Sequence, residues 1–233
     1  MGTLHFFLGV EAIRLPIGLF LSQQRYIVDL LQHLHLEDVK PAPTPMNASC
    51  KLSKHLGDPL PNPTEYICTI GALQYDIAFC VNKGCQFMSA PTIEHWQDVK
   101  RILRYLKDAV HFGLCITSSH SPHLHAFTDA DRAGCPDDHK SQGGYCIFFG
   151  NNLISWSSKK QHIVSRSSTE AEYRSVAVAT AELLWIQSLL KELAIPSTAP
   201  WSFGVTTLVL RTSLPTSPPC PYQACGDRCS FCS

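Results

Sequence analysis

The sequence predicts an α+β chain built in several pieces, and three observations lead there. Strand-like and helix-like patterns follow one another in blocks rather than alternating, which separates this chain from a parallel α/β fold. Six prolines between Pro41 and Pro63 cut the first half in two. The last stretch, from about Pro200, changes character and is rich in Ser, Thr, Pro and Cys. At 233 residues and 45% apolar composition, the chain is long enough for one or two cores. Its formal net charge is zero, so nucleic-acid binding would have to come from local patches rather than a global basic field.

In order, "LHFFLGVEAIRLPIGLFLSQ" reads as a hairpin over about 4–22, turning at Pro16-Ile17-Gly18. From Gln23, the residues Ile27, Leu30, Leu31 and Leu34 keep helical spacing. This hairpin-plus-helix, residues 1–46, is too short to close a core alone. Residues 47–65 read as an extended Pro-rich linker. Residues 66–118 read as helical, one helix over about 66–88 and a second over "TIEHWQDVKRILRYLKDAV". In the second, Trp96, Val99, Leu103, Leu106 and Val110 fall on one face, and Lys100, Arg104 and Lys107 on another. The basic stripe fits contact with a phosphate backbone. The plain alternative is an ordinary solvated helix face.

Residues 119–196 read as three strands, "HLHAFTDAD", "GGYCIFFG" and "NLISWSSKK", and then a helix from about Ser168 to Ala194. "GNN" marks a tight hairpin between the second and third strands. Ser167 or Ser168 serves as N-cap, Glu170 and Glu172 suit the dipole of the first turns, and Pro196 stops the helix. Asp129 and Asp131 lie two apart at the end of the first strand, hence on one face. Two like charges so close ask for a cation or a basic group between them. An isolated "DAD" also fits a solvated turn.

Seven of the eleven cysteines are scattered from Cys50 to Cys146 without paired rhythm and read as reduced thiols. Cys220, Cys225, Cys229 and Cys232 crowd the tail, but their spacing lacks the paired C-x2-C of zinc sites, so no zinc is expected. No apolar run reaches the roughly 18 residues of a membrane helix, and no signal-peptide pattern opens the chain. The expectation is a cytoplasmic or nuclear protein without membrane contact; oligomeric state is not legible.

The string "FTDADRAGCPDDHKSQGGYCIFFGNNLISWSSKKQHIVSRSSTEAEYRSVA" closely resembles the ribonuclease H domain of Copia-type retrotransposon polyproteins. "FFLGVEA", "GLFLSQQRYIVDLL" and "KPAPTPM" resemble the end of the reverse transcriptase of the same polyproteins, and "GALQYDIAFCVNKGCQFMSAPTIEHWQDVKRILRYLK" the segment that connects the two. The resemblance implies a ribonuclease H-like fold over 119–196, preceded by a reverse transcriptase remnant over 1–46 and a helical connection. It implies a metal-dependent endonuclease cutting the RNA strand of an RNA–DNA hybrid with two Mg2+ (or Mn2+) ions held by carboxylates. One ion would activate a water, and the other would stabilise the departing oxygen.

By the same resemblance, Asp129 in "FTD" and Glu172 in "TEAEY" match catalytic metal ligands, with Asp131 and Glu170 as weaker candidates. Asp131 has a plain alternative as a turn cap, and Glu170 as a helix-dipole partner. Arg166, Ser167 and Ser168, with Lys159 and Lys160, are candidates for hybrid contact, as are Lys100, Arg104 and Lys107. Simple helix capping is the alternative for the serines.

The match breaks in places. Arg132 stands where the family pattern has tryptophan, and a few residues are missing between Tyr75 and Asp76. The polymerase's paired aspartates do not occur in this sequence. The family's next strand reads like "WCDN", whose aspartate is the third ligand, and a further aspartate follows a motif like "HTKH"; neither string occurs.

Codon arithmetic accounts for both losses. "FGVTTLVLRT" can be encoded so that the frame beginning at the third base of its first codon reads W-C-D-N-L-G-A-T-Y. "YQACGDRCSFC" can be encoded so that the other shifted frame, beginning at the second base of its first codon, reads T-K-H-V-E-I-D-V-V-F, which requires a second slip between the two stretches. The expectation is a frameshift near residues 198–204 and an out-of-frame, disordered tail over 197–233. With part of the ligand set gone, cleavage should be weak or absent. The alternatives are a non-catalytic nucleic-acid-binding remnant of a decayed element and a chain without function that folds poorly.

Overall fold

The computed structural model describes residues 5–47, 52–73, 77–118, 123–195 and 202–205. Among them are two four-stranded sheets and five helices, an α+β chain as the block order predicts. It divides into two compact units, with the break between Cys115 and Ile116.

The first unit opens with β1 (Phe6–Phe7), β2 (Val10–Leu15) and β3 (Gly18–Ser22), paired antiparallel in sequence order. One more strand is present than the single hairpin the sequence predicts. Leu8 and Gly9 both take positive φ in the two-residue turn between β1 and β2, a conformation that glycine adopts without strain. A fourth strand, β4 (Gly113–Thr117), completes the order β1-β2-β3-β4, within a segment expected to be helical throughout. Gly113 permits this, since a Cβ there would lie 2.4 Å from the Leu21 carbonyl oxygen.

Helix α1 (Gln24–His33) buries Ile27 and Leu31 as its periodicity predicts. The single helix expected over 66–88 is two helices, α2 (Pro63–Ala72) and α3 (Ala78–Cys85). Leu73 is already extended, at ψ 107, just before the place where the family pattern carries extra residues. α3 packs tightly on α2, because a Cβ at Gly84 would meet Ile70 Cδ1 at 2.6 Å. Helix α4 (Ile93–Asp108) begins with a reciprocal cap: Thr92 N–H donates to His95 Nδ1, and His95 N–H to Thr92 Oγ1. Val99, Ile102, Leu103 and Leu106 bury against Tyr66, Ile70, Ile27 and Leu31 to form this unit's core.

In the second unit β5 (Leu124–Ala130), β6 (Gln142–Phe149) and β7 (Asn152–Lys160) are antiparallel, and the two-residue turn Gly150-Asn151 joins the last two as predicted. Helix α5 (Ser168–Glu192) crosses one face, burying Leu183, Ile186 and Leu190 on Leu124, Ala126 and Ile147. Ala171 and Ala179 are fully buried, and these small side chains let the helix lie close to the strands.

Within the stretch expected to be a disordered tail, residues 202–205 form β8 (Ser202–Val205), parallel to β5, and residues 206–233 lie outside the described residues. The sheet order is β7-β6-β5-β8. A run rich in β-branched and aromatic residues satisfies a strand edge through its backbone, whatever its side chains. The four tail cysteines lie outside the described residues. Among the described residues no helix is long and apolar enough to cross a membrane.

Candidate functional site

Asp129 is the penultimate residue of β5 and is exposed. One Asp129 carboxylate oxygen, Oδ1, accepts the Ala130 N–H at 2.9 Å. Its backbone carbonyl accepts the Ser175 hydroxyl of α5 at 3.0 Å. Glu172 stands one turn before Ser175 on the same side of α5, half-buried. The approach is close: a Cβ at Gly143, which pairs with Ala130, would lie 2.1 Å from Ser175 Oγ. Asp129 and Glu172 therefore sit at the same end of the sheet. Leu124, Ala126 and Thr128 are buried, and alternation places Asp129, which is exposed, out of that buried set.

The two weaker carboxylate candidates are held by local bonds. Asp131 closes the β5–β6 connection, its Oδ1 accepting the Gln142 N–H at 2.5 Å. Gly134 leaves room for it, since a Cβ there would meet Asp131 Oδ2 at 1.9 Å. Glu170 accepts Arg174 Nη2 at 2.8 Å and the Arg166 N–H at 2.8 Å, and the Arg174 hydrogen bond leads in holding its pKa below the usual carboxylate value. The turn-cap and helix-terminus alternatives thus describe both residues.

The cations near α5 divide similarly. Ser167 is the N-cap, accepting the Glu170 N–H at 3.1 Å, and Ser168 follows exposed at the first helical position. Arg166 is exposed; its carbonyl accepts the guanidinium of Arg132, the residue standing in the family's tryptophan position. Lys159 is exposed. Lys160 is engaged, with Nζ 2.9 Å from Asp138 Oδ1 and 3.0 Å from Cys135 Sγ. Burial alone would raise the Asp138 pKa, but the hydrogen bonds from Lys160, Cys135 and the Lys140 N–H outweigh it and bring it down to about 2.

In the first unit the basic stripe of α4 is put to a use that the sequence does not disclose. Arg101 donates to the Thr44 carbonyl at 3.2 Å and to its hydroxyl at 2.7 Å. Arg104 donates to the Lys40 carbonyl at 2.6 Å. Lys107 donates to the carbonyls of Glu37 and Val39. Lys100 lies over the Trp96 ring, 5.3 Å from its centroid. Only side chains appear in a sequence pattern, so bonds to main-chain oxygens leave no trace in it.

The sequence reading does not include His123 and His125 among the candidate residues. Their rings lie 4.1 Å apart, edge to face, and His125 Nδ1 is 2.8 Å from Ser202 Oγ. Their i, i+2 spacing on a strand was the available signal. Among the described residues no group of three or more His, Cys, Asp or Glu side chains converges to hold a metal ion.

Comparison with known proteins finds retrotransposon relatives. The chain is 50% identical over 203 residues to the retrovirus-related Pol polyprotein from transposon RE2 of Arabidopsis thaliana and 52% identical to that from transposon RE1, with 84% of this chain covered in each case. It is 42% identical to an uncharacterized mitochondrial protein of Arabidopsis thaliana, with 79% of each chain covered. The matched part of the chain is similar to a segment of retrotransposon Pol polyproteins. This Pol segment spans 14% of the length of the RE1 and RE2 polyproteins. No protein-family model matches it, and no solved structure matches it significantly.

Proposed function

We propose that residues 119–196 derive from the ribonuclease H domain of such a polyprotein, and that residues 1–46 derive from the end of its reverse transcriptase. The observation that carries this is topological. Three antiparallel strands, a long helix and a strand parallel to the first follow in order, with an aspartate ending the first strand and a glutamate opening the helix. The substrate class would be an RNA–DNA hybrid.

Mg2+ prefers oxygen donors, and Asp129 and Glu172 are of that kind. With no group of three or more acids, histidines or cysteines converging among the described residues, the acids present do not fit a two-ion site. We therefore derive no cleavage step through metal and read hydrolysis in this copy as weak or absent. We assign a register position to the ligand that the shifted frame would supply. In the shifted frame, the aspartate of W-C-D-N is read across codons 205 and 206. Val205 pairs with Thr128, so that aspartate would fall beside the Thr128–Asp129 step.

A second reading, a non-catalytic nucleic-acid-binding remnant, is favoured by the same incomplete acid set together with the exposed Lys159 and Arg166. One experiment separates the two. Purified chain is incubated with a labelled hybrid in Mg2+ or Mn2+. Cleavage lost in Asp129→Asn supports a surviving nuclease, and salt-dependent binding without cleavage supports the remnant. Neither binding nor cleavage would sink both.

A further inference from the structure

We propose that residues 37–44 are a built-in cover over a polyanion-binding face of α4, displaced when a nucleic-acid backbone takes their place; the inference rests on the nucleic-acid reading above. From Lys100 to Lys107 the helix carries Lys100, Arg101, Arg104 and Lys107 and no acid. Arg101, Arg104 and Lys107 grip one segment at Thr44, Lys40 and Glu37 with Val39, in that order, so the segment runs antiparallel to the helix. These three residues span about 9 Å of helix axis. That is the run of about three phosphates on one strand, at about 3.4 Å per charge.

The segment behaves as a stand-in for such a strand. What it offers the cations is a row of oxygens, all but one of them main-chain carbonyls. Pro41 and Pro43 carry no N–H, so their residues present carbonyl oxygens without a competing donor. Glu37 and Asp38 add acidic side chains at its start. An anchor holds the middle, where the buried Ala42 donates its N–H to the Arg104 carbonyl at 3.2 Å. The bonds to Arg101 and Arg104 lie at the surface, where water competes for them. Neutral carbonyls are the weaker partner there, since an ionised phosphate adds a second charge to a bond that the cation already assists. The covered face is therefore poised to exchange carbonyl oxygens for phosphate oxygens.

The test loosens the cover without touching the cations. Pro41→Gly with Pro43→Gly alters two exposed positions and frees the segment's unfolded ensemble. Full-length chains are titrated with a fluorescent RNA–DNA hybrid across salt concentrations, after circular dichroism shows matched folding. The loosened chain should bind about 4- to 30-fold more tightly. Its log–log salt slope should match that of the wild type, because the same cations meet phosphate in both bound states. Adding Arg104→Gln and Lys107→Gln should erase the gain. In the wild type, hybrid should speed hydrogen exchange at the Asp38, Val39, Lys40, Ala42 and Thr44 amides. Equal binding by the two chains, with those amides equally protected in the bound state, would overturn the cover alone. No binding by either folded chain would overturn the nucleic-acid reading beneath it.

Discussion

The junction that brings Glu172 near Asp129 can be tested by a double-mutant cycle on Gly143 and Ser175. In Gly143→Ala, the new methyl group would lie 2.1 Å from Ser175 Oγ, far inside van der Waals contact, while the next atoms, Ser175 Cβ and Gln161 Nε2, are at 3.4 Å. The clash therefore comes almost wholly from one hydroxyl. Overpacking of this kind costs about 1–3 kcal/mol. Ser175→Ala removes the hydroxyl and its bond to the Asp129 carbonyl, a loss of about 0.5–1.5 kcal/mol. In the double variant the methyl group meets Cβ at ordinary contact, so only the second cost remains. The pair should thus be less destabilised than the sum of the singles by about 1–3 kcal/mol. Urea unfolding followed by exchange of the β5 and β6 amides measures it within the second unit. Additivity within about 0.5 kcal/mol would show that α5 does not seat on the sheet through this contact.

Two further outcomes concern pH. The Asp138 carboxyl is brought down to about 2 from an ordinary 3.8, so its stabilising contribution is present above about 3.8 and lost as pH falls toward 2. Asp138→Asn should flatten the melting temperature over that window, and an unchanged profile would refute the Lys160 pairing. Burial first and the neighbouring His123 second hold the His125 pKa below its ordinary 6.5, so stability is full above 6.5 and falls as pH drops through 6.5 toward the lowered value. In His125→Gln, exchange at the β5–β8 pair should lose that acid sensitivity.

Much of the second unit was legible because its signals are local. Period-two alternation marks β5 to β7, the Gly150-Asn151 turn marks their join, and a serine N-cap marks α5. In the first unit, α4 was legible through its stripe of Val99, Leu103 and Leu106. The break between α2 and α3 was not, because apolar residues around Leu73 continue a helical pattern that the backbone abandons. At the candidate site, the sequence marked Asp129 and Glu172 but also Asp131 and Glu170, whose carboxylates go to a turn and a helix start. Telling these apart requires the hydrogen bonds, since all four are acids at plausible spacing. Gly143, next to Gly144 in a strand, was a sign of close backbone approach that went unread.

The structure also separates what a sheet demands from what chemistry demands. β8 pairs with β5 over four residues, His125 with Ser202 through Thr128 with Val205, using main-chain groups that every residue except proline carries. A reading frame can therefore change and still supply a strand, provided the new residues are β-branched or aromatic enough to lie flat, as Ser-Phe-Gly-Val does. Metal ligation has no such tolerance, because it needs one carboxylate at one register position. If the shifted frame is the ancestral one, the slip kept the hydrogen-bonded edge and deleted the oxygen donor beside Asp129. Restoring the frame should then change the affinity for Mg2+ far more than the protection of the β5 amides, and a gene whose codons cannot yield both readings would end that account.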